Sequence, residues 1–162
     1  MSNRSFYLQR WEPDQPAFVR VLRALPADKL DYKPHERSTS AGDLAWQLAE
    51  ELRVLSEVDE SGAINWEAKP RPATLEEIVA AYEANAERIR SVVGSMDDAR
   101  WNGEGRFLFG GHEAWKATVG DIFWGFFLDS IHHRGQLSAY IRPMGGKVPS
   151  IYGPSADDSG GM

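Results

Sequence analysis

The strongest constraint on the fold is a helix-start signal that occurs three times. Ser40-Ala-Gly-Asp43, Thr74-Leu-Glu-Glu77 and Thr118-Val-Gly-Asp121 each set a hydroxyl residue three places ahead of an acidic one. At that spacing the hydroxyl can accept from a backbone N–H that the first turn leaves unpaired, and the carboxylate favours the same helix end. Apolar residues then recur with a helical period. Leu44, Leu48, Leu52 and Leu55 follow the first signal, and Ile78, Val79, Tyr82, Ala86, Ile89 and Val93 the second. Ile122, Phe123, Phe126, Leu137, Tyr140 and Ile141 follow the third. A further helix is predicted from Asp14 and Pro16 through Phe18, Val19, Val21, Leu22 and Leu25, stopped by Pro26. The Ser40 helix is expected to end near Ser61-Gly62 and the Thr74 helix at a Gly94 cap. The Thr118 helix is expected to end at about Arg142, ahead of Pro143 and Gly145-Gly146.

The connections carry no competing strand pattern. Residues 26–38 read as loop with one turn, and Lys69-Pro-Arg-Pro72 as a linker. Glycines 103, 105, 110 and 111 break any helix over 97–117, leaving Phe107-Leu-Phe109 as a short extended piece. Ile151 and Tyr152 are expected to pin the proline-rich end to the body. The expected fold is therefore all-α, a four-helix bundle with irregular connections and a C-terminal tail. A chain of 162 residues suits one domain spanning 1–162, with a flexible tail from about residue 156.

Composition removes several function classes. There are no cysteines, which excludes disulfides, thiolate metal sites and a cysteine nucleophile. Lys and Arg number 18 against 24 Asp and Glu, a net charge of −6 with no basic cluster, so no nucleic-acid partner is expected. No apolar run approaches the ~18 residues of a membrane span. The N-terminus has no signal-peptide core, so the cytoplasm is the expected location. Six tryptophans either fill the core or line an apolar pocket.

Chemistry is sought where polar side chains interrupt an apolar stripe. On the last helix His133 falls roughly 40° from the stripe's centre, Asp129 and Gln136 lie towards its edge, and His132 points away. On the Ser40 helix Glu51 lies roughly 55° from the centre and Gln47 roughly 95°, with Glu50 facing solvent. Two readings follow. His133 and Asp129, four apart, can form a buried hydrogen-bonded pair. Alternatively His133, Asp129, Glu51 and Gln47 hold a divalent metal, one nitrogen with several oxygens suiting Zn, Ni, Mn or Fe. His35 and His112 sit in loops and acquire no role. No nucleophile elbow, phosphate-binding glycine loop or H-E-x-x-H motif occurs.

The run from Ile131 to Ser155, containing His-His-Arg-Gly-Gln-Leu and ending Ile-Tyr-Gly-Pro-Ser, resembles the C-terminal signature of the DinB-like (DinB/YfiT) proteins. Leu30-Asp-Tyr-Lys-Pro-His35 and the helix from Ser40 to Glu51 resemble earlier parts of that family. The resemblance implies an up-down-down-up four-helix bundle, often a homodimer. It also implies a metal held by three histidines, one on the second helix and an i, i+4 pair on the last. Characterised enzymes of the family use that metal to activate a low-molecular-weight thiol. His133 matches the second histidine of the pair, whereas Asp129 stands for the first and Gln47 for the second-helix histidine. Glu51, one turn on, can replace Gln47. The expectation is a divalent-metal-dependent thiol transferase with Trp46 or Trp124 walling the pocket and Gln136 or His132 orienting substrate. The alternative is a non-catalytic protein whose degenerate site holds no metal. Such a protein would bind a small apolar ligand or act as a dimeric interaction module through residues 97–117. Arg134 and Arg142 are expected to meet a dimer mate or solvent.

Overall fold

The computed structural model describes residues 1–160. In chain order the elements are α1 (Asn3–Trp11), α2 (Gln15–Arg23), α3 (Ala41–Ser56), β1 (Ala63–Trp66), α4 (Leu75–Ser95), α5 (Asp98–Asn102), β2 (Glu104–Phe109), β3 (His112–Thr118) and α6 (Val119–Ile141). All three start signals form caps. The Ser40 hydroxyl accepts from the Asp43 N–H, Thr74 and Glu77 close a reciprocal box, and the Thr118 hydroxyl accepts from the Asp121 N–H. Gly94 is not a cap, because α4 runs through Ser95 and ends at Met96 in extended backbone.

Helix α1 has no counterpart in the sequence reading. Its residues are mostly polar, and it is held by two aromatic anchors, Tyr7 and Trp11, which are buried. Tyr7 packs against Trp101 and Trp124, with ring centroids 5.2 Å apart in each case. A 3-10 turn at Glu12–Asp14 then leads into α2.

The chain is not all-α, which corrects the four-helix-bundle expectation. β1, β2 and β3 form a mixed sheet in that order, with β1 parallel to β2 and β2 antiparallel to β3. The glycines read as helix breakers are the hairpin turn itself. Gly110 and Gly111 have φ of 57° and 80°, the left-handed pair that a tight β2–β3 hairpin demands. His112 opens β3 opposite Phe109 rather than lying in a loop. β1 is four residues long and pairs with a partner some forty residues on, so no local pattern announces it.

α3 is the central helix, packed chiefly on α4 and α6. Leu44, Leu48, Leu52 and Leu55 are all buried, as their spacing requires. Truncating one of them to alanine would cost about 2–5 kcal/mol. Asn85 of α4 ties the pair further by donating to the Ala49 carbonyl at 2.9 Å. The buried stripe of α6 is Phe123, Phe127, Ser130, Arg134, Leu137 and Ile141, turned by about one residue from the predicted one.

Arg134 is thus inside, not at a surface as expected. It is 2% exposed, donates to Asp14 at 2.9 Å, and lies 4.3 Å from the Phe18 ring centroid. Tyr152 completes this network, accepting from Arg134 and donating to Asp14 at 3.2 Å. Of the tail expected to be flexible, Asp157 accepts from Arg142 Nε at 2.8 Å and from the Val148 N–H at 3.0 Å. Residues 161–162 lie outside the described residues. Among those described, no helix is long and apolar enough to cross a membrane.

Candidate metal centre

Two facing helices bring the site together. Gln47 and Glu51, one turn apart, come from α3, while Asp129, Ser130, His133 and Gln136 come from α6. Glu51 is 1% exposed. Its Oε2 accepts from Ser130 Oγ at 2.5 Å and its Oε1 from Gln47 Nε2 at 3.1 Å. Gln47 Nε2 also donates to His133 Nε2 at 2.8 Å. On the other side of the ring, His133 Nδ1 donates to Gln136 Oε1 at 2.8 Å. An amide nitrogen only donates and an amide oxygen only accepts, so this pattern puts the imidazole proton on Nδ1. Nε2, which accepts from Gln47, also lies 3.3 Å from Asp129 Oδ2 and 3.8 Å from Glu51 Oε1. A metal-ligating histidine needs this same tautomer, fixed by an acceptor on its far nitrogen.

Burial is the main cause that pushes the Glu51 carboxyl up to about 8, and the nearby Asp129 charge adds to it. The hydrogen bonds from Ser130 and Gln47 pull the other way and do not overcome it. Among the described residues no Lys or Arg neutralises Glu51, and the basic group beside it is the His133 imidazole, 3.8 Å from its Oε1. One ligand atom each from Glu51, Asp129 and His133 lies within 4.8 Å of the others. One imidazole and two carboxylates, one of them buried without a counter-cation, fit a divalent metal in number, spacing and charge. Gln47 adjoins this set with its amide hydrogens directed at Glu51 and His133.

The neighbouring Glu50 corrects the expectation that it faces solvent. It is 2% exposed and held by Arg53, whose Nε and Nη2 donate at 2.6 Å and 2.8 Å. The same oxygen that meets Nη2 accepts from the Lys69 N–H at 3.2 Å, and Arg53 donates on to the Glu67 carbonyl at 2.8 Å. This pair fastens residues 67–69 along the mouth of a cleft of about 490 Å³ above Gln47, Glu51 and Asp129. The walls are aromatic. Trp46 donates from Nε1 to the Lys69 carbonyl at 2.9 Å, and Trp66 stacks on Phe126 at 6.3 Å and 12°. The tryptophans thus divide: Trp11 and Trp101 are core, and Trp46 and Trp66 line the cleft. Trp124 does not wall the site; its Nε1 donates to Asn3 on the α1 side, at 3.1 Å. His132 is exposed beside the His133 ring, whereas Gln136 bonds His133 itself.

Ser130 was not anticipated. Its signal was present, since it is a hydroxyl residue on the buried stripe three positions before His133.

A family model described as the DinB family matches residues 1–160. A curated relative, the uncharacterized protein YrdA of Bacillus subtilis, is 23% identical over 154 residues, covering 94% of this chain and 89% of that protein. Among solved structures, a DinB-like protein from Bacillus cereus superposes with a TM-score of 0.72 at 20% identity, covering 90% of this chain and 95% of that one. A second DinB-like protein, YjoA of Bacillus subtilis, gives 0.65 at 18% identity, covering 88% and 92%. At these identities the structural likeness speaks for the fold.

Proposed function

Because the chain belongs to the DinB family, we propose that Glu51, Asp129 and His133 bind a divalent cation and that the protein is a transferase acting on a low-molecular-weight thiol. The observation that carries the cation site is Glu51, a carboxyl with 1% exposure and no Lys or Arg partner, facing two further ligand groups. The thiol rests on the resemblance of the Ile131–Ser155 segment to the family. With no cysteine in the chain, the sulfur must arrive on the substrate.

A bound cation would supply the positive charge that lowers a thiol's pKa and holds it as thiolate. The protein's own groups do the rest. Gln136 fixes the His133 ring so that Nε2 presents its lone pair. Glu51, protonated near neutrality, gives up that proton when a cation takes its place. Asp129, its side chain half exposed, meets the incoming substrate, while Trp46, Trp66 and Phe126 give the cleft apolar walls. Two carboxylates to one imidazole shift the preference from Ni towards Mn, Fe or Zn. A homodimer is also proposed, supported by Leu128 and Phe6, apolar side chains 62% and 44% exposed on one flank of the molecule.

Calorimetric titration of Mn and Zn into the purified protein tests the centre. Near-stoichiometric binding with proton release supports it, followed by loss of free thiol when a thiol and an electrophile are supplied. Absence of binding by either metal would overturn it. One observation favours a second reading: the Gln47 amide already bridges Glu51 and His133, satisfying both without an ion. In that reading the fold is non-catalytic, the cleft holds a small apolar ligand, and melting is indifferent to chelator.

A further inference from the structure

A smaller cleft of about 260 Å³ opens beside the large one, lined by Phe107, Trp115, Gly125, Phe126 and Asp129. Phe107, Phe126 and Asp129 belong to both clefts. The two rings, 5.1 Å apart and edge to face, stand between the clefts, and the half-exposed Asp129 carboxylate is reached from either side.

Two features of the chain shape this cleft, a glycine in α6 and a tryptophan held at the rim. Gly125 lies in the interior of α6, where glycine costs about 1 kcal/mol relative to alanine. A Cβ there would come within 2.5 Å and 2.8 Å of the Trp115 ring, so the indole lies across bare helix backbone. Trp115 is nonetheless 39% exposed, a large apolar ring kept at the rim rather than in the core. It is the cross-strand partner of Phe107, which sets both rings on one face of the hairpin, and the register slips immediately after Phe107.

We propose that this cleft is a second ligand subsite, taking the flat aromatic or apolar group of a small molecule whose polar end lies at Asp129. Three aromatic rings and one carboxylate recognise an apolar body with a single hydrogen-bond donor and offer nothing to a multiply charged one. The large cleft, floored by Gln47 and Glu51, takes the more polar reactant. The two then meet at Asp129 from opposite sides of Phe126. The pairing of reactants rests on the transferase reading; the subsite itself does not.

The test is fluorine NMR of para-fluorophenol titrated into the full chain, with and without Mn, alongside the tryptophan indole N–H signals. Expected are saturable binding and movement of the Trp115 signal, identified by its loss in Trp115→Phe. Gly125→Ala, which drives a methyl group into the Trp115 ring, weakens binding about tenfold or more. Should that variant fold poorly, Trp115→Ala in the exposed hairpin serves instead and abolishes binding, while Trp46→Phe in the large cleft leaves it unchanged. Absence of binding, or binding lost in Trp46→Phe and kept in Gly125→Ala, overturns the subsite. The two readings fail separately. A protein that takes Mn but not the phenol keeps the metal centre and loses this subsite, and the converse result does the reverse.

Discussion

Glu50 and Glu51 are consecutive residues of one helix, 2% and 1% exposed, and their surroundings are opposite. Glu50 is met by Arg53 through two hydrogen bonds and by the Lys69 N–H, and Arg53 is itself shared with Glu57 and Glu67. Glu51 has a hydroxyl, an amide and an imidazole around it and no permanent positive charge. Burial alone therefore does not mark a site. A buried carboxyl whose compensation is complete holds structure together, whereas one left short of a cation is available for chemistry.

The comparison can be broken at either residue. The largest effect is expected on ligand binding: His133→Ala removes the nitrogen donor, and Mn or Zn affinity falls by about a hundredfold or more while helical circular dichroism is kept. Next is Arg53→Met, which strands Glu50 in the interior. Urea unfolding should show about 3–5 kcal/mol of lost stability, with no comparable loss in Glu51→Gln.

A smaller effect follows from pH. The Glu51 carboxyl titrates at about 8 in the folded protein against 4.5 as the ordinary value, so the folded state holds its proton more tightly than the unfolded one. Its contribution to stability is full below the ordinary value and is lost as pH rises through about 8. The metal-free protein should thus lose stability between those limits in thermal melts, and Glu51→Gln should flatten that slope. If wild type and variant give parallel profiles, the contrast between the two glutamates fails. The smallest change is Ser130→Ala. Deleting a donor to the ionised carboxylate moves the Glu51 titration upward and costs about 1 kcal/mol above that range.

Much of this was legible before folding because it is local. Each helix-start signal spans four residues, and Asp129 and His133 are neighbours by helix geometry alone, as are Gln47 and Glu51. The sequence failed where burial comes from far away. Glu50 reads as a solvent residue on a wheel, since nothing in the helix pattern reports that the Lys69 backbone will close over it. Arg134 misled for the same reason: Asp14, its partner, is 120 residues distant. α6 is apolar on more than one face, because the aromatic clefts claim Phe126 while the core claims Phe123 and Phe127, so the centre of its stripe was ambiguous. The sheet was missed because β1 is short and its pairing is parallel and remote. The Gly110-Gly111 pair could have been read as a hairpin turn between Phe107-Leu-Phe109 and Trp115.

The parallel pairing of β1 with β2 also bears on the order in which the protein assembles. The floor of the large cleft is complete once α3 and α6 dock, whereas its wall needs Trp66 on β1 and Phe107 on β2. Those strands are separated by the whole of α4 and α5. Closing so long a loop is entropically slow compared with forming a capped helix. α3 and α6 are separated by a longer stretch still, which holds all three strands as well as α4 and α5, so floor and wall alike wait on remote contacts and the cleft as a whole is completed late.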